Sequence, residues 1–467
     1  MFNQVKLRLE DITSVGVIVL EQLILGITWF LPEPLIAFFT GLAKFLFSLQ
    51  VTRNPLYNRY LYSGNLQDDK LLKRAEELRK ADDFQELCAI YGYKSESHLV
   101  QTRDGYLLTV HRINPEQNGF RPNGEIVYFQ HGLLMNSEIW VLMANSEENL
   151  PFRLCELGYD VYLGNNRGNK YSSRHTSLSV NEDEFWNFSI DEFALYDIPD
   201  SLDYVLKLNN MSKLTYIGFS QGCSQVLAAI SINNDLNSKI GKLILISPAT
   251  TPKKLSNWLI NSIVHFQPAL IYLLFGRKIL MKSVLFWRNI TYPPFFTKLI
   301  DISNDILFDW KSLNIDPIQK FISYFHLYST TSVKSVVHWF QIIKSKKFQM
   351  YQESDLFSAF EYPIHSHIKL SKILLIYGMS DSLVDIKLMI EQLPQFSECK
   401  MSVLTAADVN MKPLLTDEDE KLEDTVKASD GTSLNIVGVE NYEHLDLIWG
   451  ENISYYVTGN VTAFLAE

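Results

Sequence analysis

Near its N-terminus the chain is apolar almost without interruption: "SVGVIVLEQLILGITWFLPEPLIAFFTGLAKFLFSL" holds two apolar runs, about Val15 to Leu31 and Leu35 to Leu49, separated by Pro32-Glu33-Pro34. Each run is short for a bilayer span of about 20 residues. Each also carries a charge, Glu21 in one and Lys44 in the other. Basic residues lie outside both runs, Lys6 and Arg8 before and Arg53 and Arg59 after, so the charge bias does not send the two ends to opposite sides. The pattern predicts a membrane anchor over residues 1–52, a hairpin hinged at the prolines that dips into one leaflet. Alternatives are a single transmembrane anchor, a cleaved signal peptide interrupted by Glu21, and a buried helical hairpin with little polar face. From Arg53 the composition turns polar, and "DDKLLKRAEELRKADD" reads as a solvated charged helix within a linker over 53–82.

The pattern then changes period. In "SHLVQTRDGYLLTVHRI" apolar positions alternate on either side of Asp104-Gly105, which predicts a β-hairpin. Six apolar segments follow, "EIVYFQ", "YDVYLG", "LTYIGF", "KLILISP", "KILLIYG" and "LNIVGV", separated by helical stretches. Continuous apolar strands alternating with helices predict an α/β fold with a mostly parallel sheet covered on both faces. The core falls into two parts, 83–250 and 366–467, because residues 251–365 are too many for a strand-to-helix connection and read as an inserted, mainly helical cap. Its first half, "NWLINSIVHFQPALIYLLFGRKILMKSVLFWRNITYPPFF", is dense in large apolar side chains. Near 402–433 an acidic stretch poor in aromatics reads as a disordered surface loop.

Composition narrows the class. A chain of 467 residues that is 47% hydrophobic, with 28 Phe and 23 Tyr, can bury a large core or bind something apolar. A net charge of −11 without a basic stripe argues against a nucleic-acid partner. Cys88, Cys155, Cys223 and Cys399 are widely spaced, which suggests neither a disulfide framework nor a zinc site and favours a reducing compartment. Glycosylation sequons at Asn187 and Asn289 are too easily met by chance to place the protein in the secretory lumen. No P-loop is present, and His365-Ser366-His367 has no carboxylate partner nearby, so neither a cofactor nor a metal is expected.

Candidate chemistry begins at "LTYIGFSQGCSQV", where Ser220 stands between Gly218 and Gly222 at a strand-to-helix transition. That is the pattern of a nucleophile elbow, although an ordinary turn between strand and helix also uses glycine. A serine needs a histidine to take its proton and a carboxylate to orient that histidine, and α/β-hydrolases place them in the chain order Ser, acid, His. After the late strand, "VGVENYEHLDLIWG" offers His444. "KILLIYGMSDSLVD" offers Asp381 just past a strand end, where side chains face the crevice, whereas Asp385 is placed to cap the next helix. An oxyanion needs two amides. The loop His131-Gly132-Leu133-Leu134 after "EIVYFQ" supplies Leu133, Gln221 supplies the second, and His131 reads as a structural hydrogen-bonder.

Together "FQHGLLMNSEIW", "LGNNRGNKYSSRH", "FWNFSIDEFALYDIPDSLDYVL", "GFSQG", "LYSTTSVKSVVHWFQIIKSKKFQ", "YGMSDSLVD" and "NYEHLDLIWG" resemble the acid lipase family of gastric and lysosomal lipases over roughly residues 83 to 464. Within it, the likeness is greatest to fungal membrane-anchored steryl ester hydrolases of lipid droplets. The resemblance implies an α/β-hydrolase fold, Ser220 as nucleophile, Asp381 as acid, His444 as base, and the amides of Leu133 and Gln221 as oxyanion hole. It implies a steryl ester substrate met at a lipid-droplet or endoplasmic-reticulum membrane surface. A triacylglycerol lipase with the same triad, or a scaffold without catalysis, are the alternatives. Secreted members begin with a cleavable signal and carry a disulfide in the cap, whereas this chain has no cysteine between Cys223 and Cys399.

Overall fold

The computed structural model describes residues 69–410 and 432–467, with breaks at 254, 256–257, 281–283, 285–286, 289–290, 292 and 355–357, together with Phe38 and Leu42. The expected anchor apart from those two residues, the first part of the linker and the acidic stretch 411–431 therefore lie outside the described residues. Among the described residues no helix is long and apolar enough to cross a membrane.

Among the described residues a ten-stranded sheet organises the fold. Its strands are β1 (Glu96–Gln101), β2 (Tyr106–Ile113), β3 (Ile126–Gln130), β4 (Asp160–Leu163), β5 (Arg174–His175), β6 (Leu214–Phe219), β7 (Ile240–Ile246), β8 (Lys372–Gly378), β9 (Glu398–Leu404) and β10 (Ser433–Val439). They run in the order β1-β2-β4-β3-β6-β7-β8-β10-β9, with the short β5 paired to β2 off this path. The hairpin expected around Asp104-Gly105 forms, with β1 and β2 antiparallel and Gln101 opposite Leu107. From β4 to β9 all pairs are parallel.

The apolar strands bury both faces because successive side chains point to opposite sides. In β6, Ile217 and Phe219 join one core, while Leu214 and Tyr216 join the other. β7 repeats this with Ile244 and Ile246 against Leu243 and Leu245, and β8 with Leu374 and Ile376 against Ile373 and Leu375. Each such side chain removed from water contributes about 1.5–3 kcal/mol, so the central strands form the most strongly held part of the fold. Their C-terminal ends carry the candidate site.

Between β7 and β8 the chain leaves the sheet and forms the helices Trp258–Val264, Pro268–Phe275, Pro293–Phe308, Pro317–Leu327 and Val333–Ser345. Their starts are legible locally: Asp316 accepts a hydrogen bond from the Ile318 amide (2.8 Å) ahead of Pro317, and Ser332 accepts one from the Ser335 amide (2.9 Å). The outer side of this insertion keeps large apolar residues in water, with Leu273 80% and Leu313 81% exposed.

Two elements depart from the sequence reading. The charged helix expected to lie solvated within a linker forms over Asp69–Lys80 but is docked on the core. Ala75 and Leu78 are buried, the Leu78 carbonyl accepts a hydrogen bond from His326 Nε2 (2.9 Å), and Arg79 lies over the rings of Phe321 and Phe325. Its apolar stripe was present at helical spacing in "LLKRAEEL" but was outnumbered by charges, two of which are themselves packed: Glu76 and Arg79 pair at 2.7 Å. The second departure is β9, whose side chains are mostly exposed because it is an edge strand. "ECKMSVL" lacks the apolar run that marked its neighbours. Residues 402–404 thus end a strand, and Ala406–Asn410 is helical, so the acidic loop cannot begin at 402.

Candidate active site

Ser220 sits between β6 and the helix Gln221–Ile232 with φ 52° and ψ −118°, a conformation that costs a non-glycine residue about 1–3 kcal/mol. The fold holds it there by the main chain: the Ser220 amide donates to the Ile246 carbonyl (2.9 Å), and its carbonyl accepts from the Cys223 amide (3.0 Å). The flanking glycines serve close approach; it is the serine that takes the positive φ. A Cβ on Gly222 would lie 2.5 Å from the Gln130 carbonyl oxygen, and one on Gly218 would lie 2.9 Å from the Cys223 nitrogen. Any side chain there would push the helix off the sheet and move the serine with it.

Asp381 and His444 reach the same crevice from the loops after β8 and β10. The Asp381 amide donates to the Gly378 carbonyl (3.1 Å), its Oδ1 accepts from the Leu383 amide (2.9 Å), and its Oδ2 meets His444 Nδ1 at 2.6 Å. A carboxylate only accepts, so Nδ1 carries the proton and the lone pair of a neutral ring is on Nε2. The two loops are tied to each other, since the Ser380 amide donates to the Tyr442 carbonyl (3.0 Å). They are tied to the elbow as well: the Ser247 hydroxyl donates to the His444 carbonyl (3.3 Å) one residue beyond Ile246, and the Phe219 ring lies 5.1 Å from the imidazole. Asp385, the alternative acid, caps Ile386–Gln392 by accepting from the Leu388 amide (3.3 Å).

The loop after β3 closes the third side. A Cβ on Gly132 would lie 3.1 Å from the Ser220 Cβ, which places the Gly132-Leu133 segment against the serine. His131 holds this loop. It is buried, its Nδ1 donates to the Gly132 carbonyl (2.8 Å), and its Nε2 accepts from the Asn166 amide and Asn169 Nδ2, both at 3.2 Å. Burial pushes its pKa down to about 4, so the ring is neutral at neutral pH. Leu134, with φ 58°, is fixed from the insertion by the Ser329 amide, which donates to its carbonyl (2.6 Å). Gln221 opens its helix, where the first amides lack intrahelical acceptors. Its side chain is turned away, accepting from Trp339 Nε1 (2.7 Å). A nucleophile, a base oriented by a carboxylate, and amides at a helix start suffice for acyl transfer.

Several neighbours escaped sequence reasoning. Trp310 stacks face to face on His444, with ring centres 4.8 Å apart and planes within 5°. Arg167, in "LGNNRGN", is buried and bonds Asp197 (2.7 Å) and Asp104 (2.6 Å), binding the hairpin turn to the helix that follows. Glu138 is buried against Lys170 (2.6 Å) and His326 (3.0 Å). Burial alone would raise its carboxyl, but the hydrogen bond and charge of His326, with those of Lys170, pull it down to about 2. Each of these pairs joins residues far apart in the chain, and no local pattern announces them.

Of the His365-Ser366-His367 pair, His365 is exposed and His367 Nδ1 donates to the Ser231 carbonyl (2.9 Å). Among the described residues no group of three or more His, Cys, Asp or Glu side chains is placed to hold a metal.

Residues 125–408 match the α/β-hydrolase fold family and residues 84–144 a partial α/β-hydrolase lipase region. A protein named "Probable lipase" from Schizosaccharomyces pombe is 41% identical over 407 residues, 85% of this chain and 82% of the relative. Another of that name from the same organism is 36% identical over 457 residues, 95% and 87% of the two chains. Gastric triacylglycerol lipase of Homo sapiens is 30% identical over 403 residues, 82% and 91% of the two. The chain belongs to the acid lipase family of α/β-hydrolases and is a serine ester hydrolase.

Proposed function

We propose that the protein hydrolyses steryl esters to sterol and fatty acid at a lipid surface, with Ser220 as nucleophile, His444 as base and Asp381 as the acid that orients it. The observation that carries the assignment is the 2.6 Å contact of Asp381 with His444 beside a serine held at φ 52°. Ser220 Oγ attacks the ester carbonyl while His444 Nε2 takes its proton. The amides of Leu133 and Gln221 hold the oxyanion, each worth about 3 kcal/mol in the transition state. His444 then protonates the departing alcohol, leaving an acyl-serine. Water attacks that ester as His444 again takes a proton, and the fatty acid leaves as Ser220 recovers its own.

The lipid part of the reading rests on apolar surface. Leu273, Phe295 and Leu313 stand largely in water on the insertion, apolar surface that suits contact with lipid. The apolar runs within residues 1–52 would anchor the chain at a lipid droplet or the endoplasmic reticulum membrane and bring the insertion to that surface. Triacylglycerol hydrolysis is the second reading, favoured by the likeness to gastric triacylglycerol lipase.

Fatty-acid release from emulsified steryl ester and from triacylglycerol, by membranes bearing the wild type minus those bearing Ser220→Ala, tests both. A large difference on steryl ester supports the sterol reading. A difference on triacylglycerol alone replaces the substrate and keeps the machinery, and none on either lipid overturns the proposal.

A further inference from the structure

Trp310 belongs to the insertion, yet it lies on the base. It sits in the loop between Pro293–Phe308 and Pro317–Leu327, stacked on one side by His444 (4.8 Å, 5°) and on the other by Phe308 (4.3 Å, 26°). A face-on stack covers the plane of an imidazole and leaves its edge open. One nitrogen of that edge is engaged by Asp381, and Nε2 is the nitrogen left for the serine.

The loop is held in place by the neighbours of both residues of the pair. Glu443, adjacent to His444, accepts from the Lys311 amide (3.1 Å) and the Ser312 amide (2.7 Å). Ser382, adjacent to Asp381, donates its hydroxyl to the Phe308 carbonyl. Asn314 Nδ2 donates to the Asn441 carbonyl (2.8 Å) and to Asp446 Oδ2 (2.9 Å), and its own carbonyl accepts from the Glu451 amide (2.8 Å). Asp309 and Ser312 adopt φ 57° and φ 49° on either side of this clamp. Such strain at non-glycine residues persists only where the surroundings over-determine the backbone. The charged groups around the imidazole are thus Asp381 on its Nδ1, with Glu443 and Asp446 engaged by the loop.

We propose that Trp310 is a positioning residue for the reaction: stacked on His444, it fixes the imidazole plane and favours the cation that forms when Ser220 gives up its proton, so the insertion supports the base as well as covering it. An aromatic face attracts a cation through its quadrupole, most strongly when both are out of water, and Trp310 is buried. The proposal rests on the roles given above to Ser220 and His444.

The test compares the full chain with Trp310→Leu, Trp310→Met and Trp310→Phe on p-nitrophenyl butyrate, a soluble ester that needs no lipid surface, with Ser220→Ala as control. The indole N–H finds no acceptor among the described residues, so Phe keeps an aromatic face on the imidazole and gives up an unused donor together with one ring of the indole. Leu and Met should lower kcat about 10-fold with KM within about twofold, and Phe should restore most of the loss. The rate of labelling by a small fluorophosphonate should fall by the same factor, because that reaction needs only the serine and its base. If Leu unfolds, which its melting curve reveals, Met and Phe still decide the matter. An unchanged or raised kcat in Met, a loss confined to KM, or a Phe variant as slow as Met would overturn the proposal. Activity surviving in Ser220→Ala would instead overturn the reading beneath it.

Discussion

At the scale of single residues, the site is a set of side chains whose surroundings leave each one option. Ser220→Ala removes the proposed nucleophile without altering the contacts that fix the elbow, so hydrolysis should fall at least about 10³-fold while the melting temperature stays within a few degrees. Gly222→Ala drives a methyl into the Gln130 and His131 carbonyls at 2.5 and 2.9 Å. That crowding should lower stability by about 1–3 kcal/mol and take activity with it, as denaturant titration and an ester assay would report. That Asp381 and His444 meet near the turn at Ser220 was legible because two constraints acted at once: glycine at a strand-to-helix turn, and chain order across two strand ends. The choice of Asp381 over Asp385 followed from the same logic, since the nearer residue faces the crevice and the further one meets a free helix amide. Trp310 was not legible. Its partner lies beyond three further strands, and in an insertion this rich in aromatics no pattern separates the one that stacks on His444 from those that fill the core.

At the scale of elements, the strands that bury both faces were plain in the sequence, and those that do not were hidden. The apolar runs of β3, β6, β7 and β8 admit one reading, whereas β9 borrows its order from β10 on one side only and shows an edge strand's polarity. The helix Asp69–Lys80 is the instructive failure. A count of charges made it a solvated helix within a linker, but Leu78 is fully buried and its carbonyl is bonded by His326. If this helix belongs to the folded unit, Leu78→Ala should destabilise the protein by about 2–4 kcal/mol in urea unfolding. A change under about 0.5 kcal/mol would restore the solvated linker. Because the helix packs on Pro317–Leu327, which leads back to the loop bearing Trp310, the segment that follows the expected anchor is joined to the site through the insertion.

At the scale of the whole molecule, stability should depend on pH through groups that folding keeps from charging. His111 and His131 are held neutral by burial, each lowered from 6.5 to about 4. Their contribution is complete above pH 6.5 and is lost as pH falls toward 4, because only the unfolded chain takes up the proton. Glu138, lowered from 4.5 to about 2, adds a further loss between those two values. These three groups should therefore pull the melting temperature down from pH 6.5 to 4, while Asp197, its carboxyl raised by burial from 3.8 to about 6, pulls the other way below pH 6. His111→Phe, which keeps the stack on Phe84, should flatten that slope; an unchanged slope would show that His111 charges freely in the folded state. The division into a sheet and a helical insertion was visible in the lengths between strands. The clamp between insertion and histidine loop was not, since the Glu443 and Asn314 side chains bind main-chain groups there, and those partners carry no sequence signal.

The central claim is that Ser220 becomes the covalent acyl carrier under His444. It is tested most directly by treating the full chain with a fluorophosphonate and mapping the adduct by mass spectrometry. The account predicts one phosphonyl group on Ser220, absent in Ser220→Ala and formed far more slowly in His444→Ala. A label on another residue, or an unlabelled Ser220 in a protein that still hydrolyses esters, would contradict it.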